Sequence, residues 1–260
     1  MASTALTNLQ NRCELLRSLH RPGDPLLLPN AWDVATARAV VAAGFPVVAT
    51  TSRGVAEVLG YEDHEGAPVE EMLAAASRIV RGVEVPVTVD AEAGYALEPA
   101  GLVAALRSAG VAGCNLEETD HTTGRLRDAD RHAAWLSTVR QAASADGYSL
   151  VINARVDVFL WPLLAGAASG TQKGLVPEAL RRAEAYLEAG ADCVYPIALF
   201  ETDALRGFMT DAGGPVNVTR MPQGPPVSEL CALGVARVSW AIFLYVDAMA
   251  RFAEQLGSLE

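Results

Sequence analysis

The stretch that decides the fold runs Pro86-Val-Thr-Val-Asp90, then Pro99-Ala-Gly-Leu-Val-Ala-Ala-Leu-Arg-Ser108, then Ala109-Gly-Val111 and Ala112-Gly-Cys-Asn-Leu116. A short β-branched run, an amphipathic stretch opened by proline, a glycine and a second short apolar run read as one βα unit followed by the next strand. Proline suits the first turn of a helix, and Gly110 suits the left-handed residue that ends one. The same order recurs outward in both directions. Strand-like runs occur at Leu26–Leu28, Val47–Thr51, Pro86–Asp90, Ala112–Leu116, Ser149–Asn153, Asp192–Tyr195, Pro215–Val218 and Ala236–Trp240. Helical periodicity fills Asp33–Ala43, Val69–Arg81, Pro99–Ser108, Ala129–Ala143, Pro177–Ala189 and Glu201–Ala212. The pattern predicts an α/β protein with eight parallel strands closed into a (β/α)8 TIM-type barrel. Ser3–His20 is expected as an extra N-terminal helix, and residues 1–260 as a single domain. An open doubly wound sheet is the competing fold. It would want a glycine-rich phosphate turn after an early strand, and neither GxGxxG nor GxxxxGK[ST] occurs.

Composition narrows the function classes. The chain has 260 residues, 51% of them hydrophobic and 20% charged, with a formal net charge of −11. That is ample apolar material for a core, and the acid excess argues against a nucleic-acid binder, which needs a basic stripe. Lys173 is the only lysine. Its surroundings are rich in Gly, Ser and Thr and read as solvated, unlike the desolvated site an activated amine requires. The cysteines at 13, 114, 193 and 231 form no CxxC pair, and Cys114 and Cys193 read as buried core thiols. No N-terminal signal segment or membrane-length apolar run is evident, so a cytoplasmic protein without a membrane partner is expected.

In such a barrel the loops that follow the strands build the active site. Carboxylates collect there: Glu62-Asp63 after the second strand, Asp90-Ala-Glu92 after the third, Glu117-Glu118 after the fourth, and Arg155-Val-Asp157 after the fifth. Asp90 and Glu92 are two apart, so an extended backbone would lean both the same way. A lone acid at such a loop is more often a helix cap, which is the reading for Asp33. Four on adjacent strands repel one another unless a cation sits among them, and a hard ion such as Mg²⁺ fits. Arg155, with its planar fork, is then suited to a substrate carboxylate or phosphoryl group.

These residues resemble the isocitrate lyase/phosphoenolpyruvate mutase superfamily from about Leu28 to Ala250. The resemblance is carried by Pro29-Asn-Ala-Trp-Asp33, Thr50-Thr-Ser-Arg-Gly54 with Leu59-Gly-Tyr-Glu-Asp63, Asp90-Ala-Glu-Ala-Gly-Tyr95, Asn115-Leu-Glu-Glu118 and Asn153-Ala-Arg-Val-Asp157, in that order. It implies Asp90 as the direct ligand of Mg²⁺ (or Mn²⁺), with Glu92, Glu117 and Asp63 reaching the ion through waters. It further implies Thr51 and Ser52 as hosts for the carboxylate of a 2-oxo acid, Arg155 near the reacting group, and Asn217 facing the substrate. A homodimer or homotetramer exchanging a C-terminal helix, here Trp240–Leu256, is implied as well.

Departures from the pattern are equally informative. After the fourth strand, family lyases carry a Lys-Lys-Cys-Gly-His segment whose cysteine moves protons, and phosphonomutases place Lys and Asn on that loop. This chain has Thr119-Asp-His-Thr-Thr-Gly-Arg125. His121 is the candidate replacement acid/base, since an imidazole titrates near neutral pH. Arg53, Glu57 and Glu118 also depart from the pattern. The expected activity is Mg²⁺-dependent chemistry on a small 2-oxo acid through a metal-stabilised enolate, with carbon–carbon cleavage or decarboxylation leading. Phosphorus–carbon chemistry of the phosphoenolpyruvate mutase or phosphonopyruvate hydrolase type is the alternative. A catalytically idle barrel that only binds an oxo acid is the reading from another class.

Overall fold

The structure is a computed structural model and describes residues 2–259. Eight strands lie in sequence order around a ring: β1 (Leu26–Leu28, resuming at Asn30–Ala31), β2 (Val48–Thr50), β3 (Val87–Asp90), β4 (Gly113–Glu117), β5 (Val151–Val156), β6 (Cys193–Pro196), β7 (Asn217–Thr219) and β8 (Arg237–Ser239). Neighbours from β1 to β6 pair parallel, and β7 pairs parallel with β8. The ring closes in two places. Leu26 to Leu28 register against Arg237 to Ser239, and a parallel bridge joins Val194 to Val216. The expected barrel is therefore present.

The helices are α1 (Ala2–Ser18), α2 (Val34–Ala42), α3 (Ser52–Leu59), α4 (Val69–Gly82), α5 (Pro99–Ala109), α6 (Ala129–Ala145), α7 (Leu160–Leu164), α8 (Val176–Glu188), α9 (Thr202–Asp211), α10 (Val227–Ala232) and α11 (Phe243–Gly257). Asp33 caps α2 as expected: its Oδ1 accepts from Thr36 N at 2.7 Å while the Thr36 hydroxyl serves the Asp33 N–H at 3.2 Å. Helix α5 buries Leu102, Val103, Leu106 and Ala109 against the barrel, and each large side chain contributes roughly 1.5–3 kcal/mol. It stops at Gly110, whose φ of 77° only glycine adopts readily. Cys114 and Cys193 are fully buried between strands and helices, which pushes both thiols up to about 12.

Three elements depart from the sequence expectation. Helix α3 stands where only a loop was anticipated between β2 and Glu62. The segment after β4 folds into an antiparallel hairpin, Thr119–Asp120 against Arg125–Leu126. Strand β5 runs to Val156 instead of ending at Asn153, because its ladder continues against Glu117 on one side and Tyr195 and Pro196 on the other. Arg155 is thus a strand residue, fixed on the wall of the barrel.

Candidate active site

A cleft of about 200 Å³ opens at the C-terminal ends of the strands. Asp63, Asp90, Glu92, Glu117, Arg155, Thr51 and Ser52 all line it. Each arrives by a different local device. Asp90 is the last residue of β3, and helix α3 aims its N-terminus at it. Ser52 Oγ donates to Asp90 Oδ2 at 2.9 Å, and Ser52 N reaches the same oxygen at 3.4 Å. The other oxygen, Oδ1, is buried and has no hydrogen-bond partner. A helix N-terminus that could receive a substrate carboxylate already faces a carboxylate of the chain itself.

Glu92 reaches the cleft by a route the sequence reading did not foresee. The strand ends at Asp90, and Glu92 sits at φ 47° in a turn, so strand alternation does not align the two acids. The turn is braced from the second loop. Glu65 N donates to Glu92 Oε1 at 2.6 Å, and the Glu65 carboxylate accepts from Tyr95 N at 2.6 Å. Gly94 is required here: its φ is 89°, and an added Cβ would lie 2.9 Å from the Trp135 ring. Burial, added to repulsion from Asp90, Asp63 and Glu117, pushes Glu92 up to about 8, against the Glu65 N–H.

Glu117 and Arg155 face each other because β4 and β5 pair them in register. Arg155 Nη1 ion-pairs with Glu117 Oε2, while Nε and Nη2 donate to Asp157 at 2.6 and 3.3 Å. Of the five N–H donors of a guanidinium, two remain for a ligand. His121, on the hairpin, was expected as the acid/base, but it does not line the cleft: it stands behind Glu117, with Nε2 2.7 Å from the other carboxylate oxygen. Burial raises the Glu117 pKa to about 7, opposed by Arg155 and His121. Burial lowers that of His121, but the Glu117 carboxylate outweighs it and the net shift is upward.

The structure corrects several expectations. Among the described residues, no three of His, Cys, Asp and Glu stand close enough to enclose a metal ion. The four carboxylates therefore do not form a closed cage: Arg155 and His121 hold Glu117, Glu65 N holds Glu92, and Ser52 holds one oxygen of Asp90. Glu118 does not face the mouth. It is fully buried toward α8, where Arg182 Nη1 donates to it at 2.6 Å and Tyr186 Oη also donates. Asp157 is likewise fully buried and belongs to Arg155 and Thr119. Asn217 does not line the cleft. It starts β7 one layer below, with Oδ1 3.4 Å from Ser239 Oγ. Arg53 lines the rim of the cleft, where its Nε pairs with Glu57 at 2.7 Å. Lys173 lies exposed in a 3₁₀ turn outside the cleft.

Other cleft residues carried no assignment beforehand. Asn30 ties three strands together: its Nδ2 donates to Thr50 O at 2.8 Å and its Oδ1 accepts from Trp240 N at 2.8 Å. Tyr195 contributes a hydroxyl paired with Thr219 at 2.5 Å, and Leu160, Leu164, Ile197 and Ile242 form an apolar side. Asn30 was visible only as part of the Pro29–Asp33 motif. The apolar side comes from α7 and from the segments that follow β6 and β8, and had no signal along the chain. Beneath the cleft, Arg237 is fully buried inside the barrel with Nη2 3.1 Å from Asn115 Oδ1, while its Nε and Nη1 have no partner.

Comparison with known proteins places the chain in a family. Residues 16–259 match the family model described as phosphoenolpyruvate phosphomutase. An uncharacterised protein of Mycobacterium tuberculosis is 34% identical over 221 residues, covering 85% of this chain and 79% of that one. The 2-methylisocitrate lyase of Salmonella typhimurium is 28% identical over 257 residues, covering 92% of this chain and 84% of that one. Among solved structures, a phosphonomutase candidate from Burkholderia cenocepacia J2315 superposes with a TM-score of 0.87 at 39% identity, covering 95% of this chain and 99% of that one. With a match from α1 to α11 and a closed barrel whose carboxylates gather at the strand ends, the chain belongs to the phosphoenolpyruvate mutase/isocitrate lyase superfamily of lyases and mutases.

Proposed function

We propose that the protein is a Mg²⁺-dependent lyase that cleaves a carbon–carbon bond alpha to the oxo group of a small 2-oxo acid. The observation that carries this reading is Asp90, which lines the cleft and whose buried Oδ1 has no partner while Ser52 fixes Oδ2. One direct carboxylate, with Asp63, Glu92 and Glu117 around it, suits an ion that keeps most of its water shell and is unlike a closed zinc cage. When bound, Mg²⁺ supplies positive charge opposite the oxygen on which an enolate develops its own negative charge.

The remaining work falls to the chain. Arg155 has two donors left for the substrate carboxylate and is oriented by Glu117 and Asp157. Glu117 lines the cleft with its pKa raised by burial to about 7, so it can deliver a proton to the reacting carbon or remove one, and His121, 2.7 Å behind it, can resupply that proton. This gives Glu117, with His121 behind it, the role of the cysteine that family lyases carry on the same loop. Tyr195 and Asn30 border the oxo-acid end of the cleft. Leu160, Leu164, Ile197 and Ile242 favour a substrate with a short alkyl tail.

The test is product analysis by NMR of the purified protein with MgCl₂ on 2-methylisocitrate, 2,3-dimethylmalate, oxaloacetate and phosphonopyruvate. The expected result is Mg²⁺-dependent carbon–carbon cleavage, either of the 2-oxo acid oxaloacetate or of one of the two 2-hydroxy acids, which release a 2-oxo acid as product, inhibited by oxalate. Conversion of phosphonopyruvate alone would replace this reading with phosphorus–carbon chemistry. Oxalate binding without any turnover would leave an idle oxo-acid barrel.

Assembly into a homodimer or homotetramer is part of the same proposal. Helix α11 buries only Tyr245 and exposes Val246, Met249, Phe252 and Leu256 at 43–54%. That apolar stripe suits a second copy of the chain. Sedimentation of Met249→Glu/Phe252→Glu should give monomers where the wild type gives oligomers. A monomeric wild type would overturn this part.

A further inference from the structure

Behind the Ala91–Leu97 loop, on the side away from the cleft, lies a second cavity of about 490 Å³. The run Arg125-Leu-Arg-Asp-Ala-Asp-Arg131 brings three guanidiniums to its wall, a concentration of positive charge on a chain whose net charge is −11. None of the three is ion-paired among the described residues; the neighbouring Asp130 pairs instead with Arg181 at 3.6 Å. The two carboxylates of the wall are engaged locally. Asp128 caps α6 through Arg131 N at 3.0 Å, and Asp120 Oδ1 accepts from Thr122 N at 2.9 Å and Thr122 Oγ1 at 2.6 Å. Arg127 contacts Ala93 O at 3.5 Å, at the limit of a hydrogen bond, and its guanidinium carbon stands 6.0 Å from the Trp135 ring centroid.

An independent observation comes from His132, which is 1% exposed and also lines the cavity. Its ring stacks on Trp135 at 5.5 Å and meets Tyr186 in a T-shaped contact at 5.0 Å. Yet neither ring nitrogen has a hydrogen-bond partner. Burial, reinforced by Arg127, holds this imidazole down to about 3, so at neutral pH it is uncharged with one N–H to donate. A buried donor of this kind calls for an acceptor, as do three guanidiniums that lack an ion pair.

We propose that this cavity is a second binding site, built for a small multiply charged oxyanion, with Arg125, Arg127 and Arg131 as its cationic rim and His132 as its buried donor. Phosphate and compact polycarboxylates share the required chemistry. Bidentate guanidinium contacts serve either, and the floor of Trp135 excludes water from one side.

Calorimetric titration of the full chain at constant ionic strength, with sodium phosphate in one arm and tricarballylate in the other, tests this. Saturable binding of at least one oxyanion is expected. Arg125→Gln/Arg131→Gln should weaken it by about tenfold or more with an unchanged thermal melt, since both side chains are on the surface. His132→Phe, which keeps a ring between Trp135 and Tyr186, should weaken it as well. Absence of saturable binding in both arms, or undiminished binding by the double arginine variant, would overturn the proposal.

Discussion

The two ends of the barrel use the same residue types to opposite effect. At the N-terminal end, Asp192 just ahead of β6 accepts from Arg17 Nε at 2.7 Å, Arg140 Nη2 at 2.6 Å and Ile152 N at 2.8 Å. The two arginines spend their other donors on Ser149, Leu150 and Gly190 carbonyls, at 2.7–3.2 Å. The network ties α1, α6, β5 and β6 together, and every charge has its partner. At the C-terminal end, Asp90 keeps an unpartnered oxygen, and Glu92 and Glu117 are pushed up to about 8 and about 7. Satisfied polar groups hold a fold together, whereas unsatisfied ones mark where a ligand completes the structure.

Four measurements break or sharpen that contrast. The largest effect is expected at Asp90→Ala, with turnover down on the order of 10³-fold. Its thermal melt should stay unchanged or rise, because a crowded carboxylate is removed. A melt that drops as turnover falls would place Asp90 with Asp192 as a structural acid. Next, His121→Ala should lower turnover about 10²-fold. The wild-type rate should decline as pH rises through the raised His121 pKa, and that limb should vanish in the variant. Asp192→Ala should do the reverse of Asp90→Ala, with unfolding in urea easier by about 2–3 kcal/mol and activity per folded molecule intact.

The last measurement concerns pH, and its effect is small near neutrality. His132 is held down to about 3 in the folded chain against about 6.5 when unfolded, so unfolding takes up a proton in between. Its contribution is complete above pH 6.5 and is lost as pH falls toward 3, at up to about 1.4 kcal/mol per pH unit. Subtracting the stability profile of His132→Gln from that of the wild type should recover this slope. Equal slopes would mean that the imidazole is not held neutral.

Much of this was legible along the chain because it is local. The βα alternation, the Asp33 cap and the Gly110 stop depend on residues within one turn of each other. The acids at 63, 90, 92 and 117 were found by their place after strands, and all four reach the cleft. What each does there was less visible. Glu117 and Glu118 are adjacent in sequence, yet one faces Arg155 and His121 while the other faces Arg182 and Tyr186. Strand alternation sends neighbours to opposite sides. Choosing between them requires the register of β4 against β5, which pairs Glu117 with Arg155. Helix α3 escaped notice because it is eight residues long and opens at Thr51 without a side-chain cap.

By itself, then, the sequence determined the barrel, the order of its units and the set of acids at its mouth, since short-range periodicity and strand-end position encode all three. Tertiary structure decided the electrical state of each acid. That depends on partners from distant segments, such as Ser52 for Asp90, Glu65 for Glu92 and His121 with Arg155 for Glu117. It also brought Arg125, Arg127 and Arg131 to one cavity with His132, because a hairpin and a helix had to pack against the Ala91–Leu97 loop before that cavity existed.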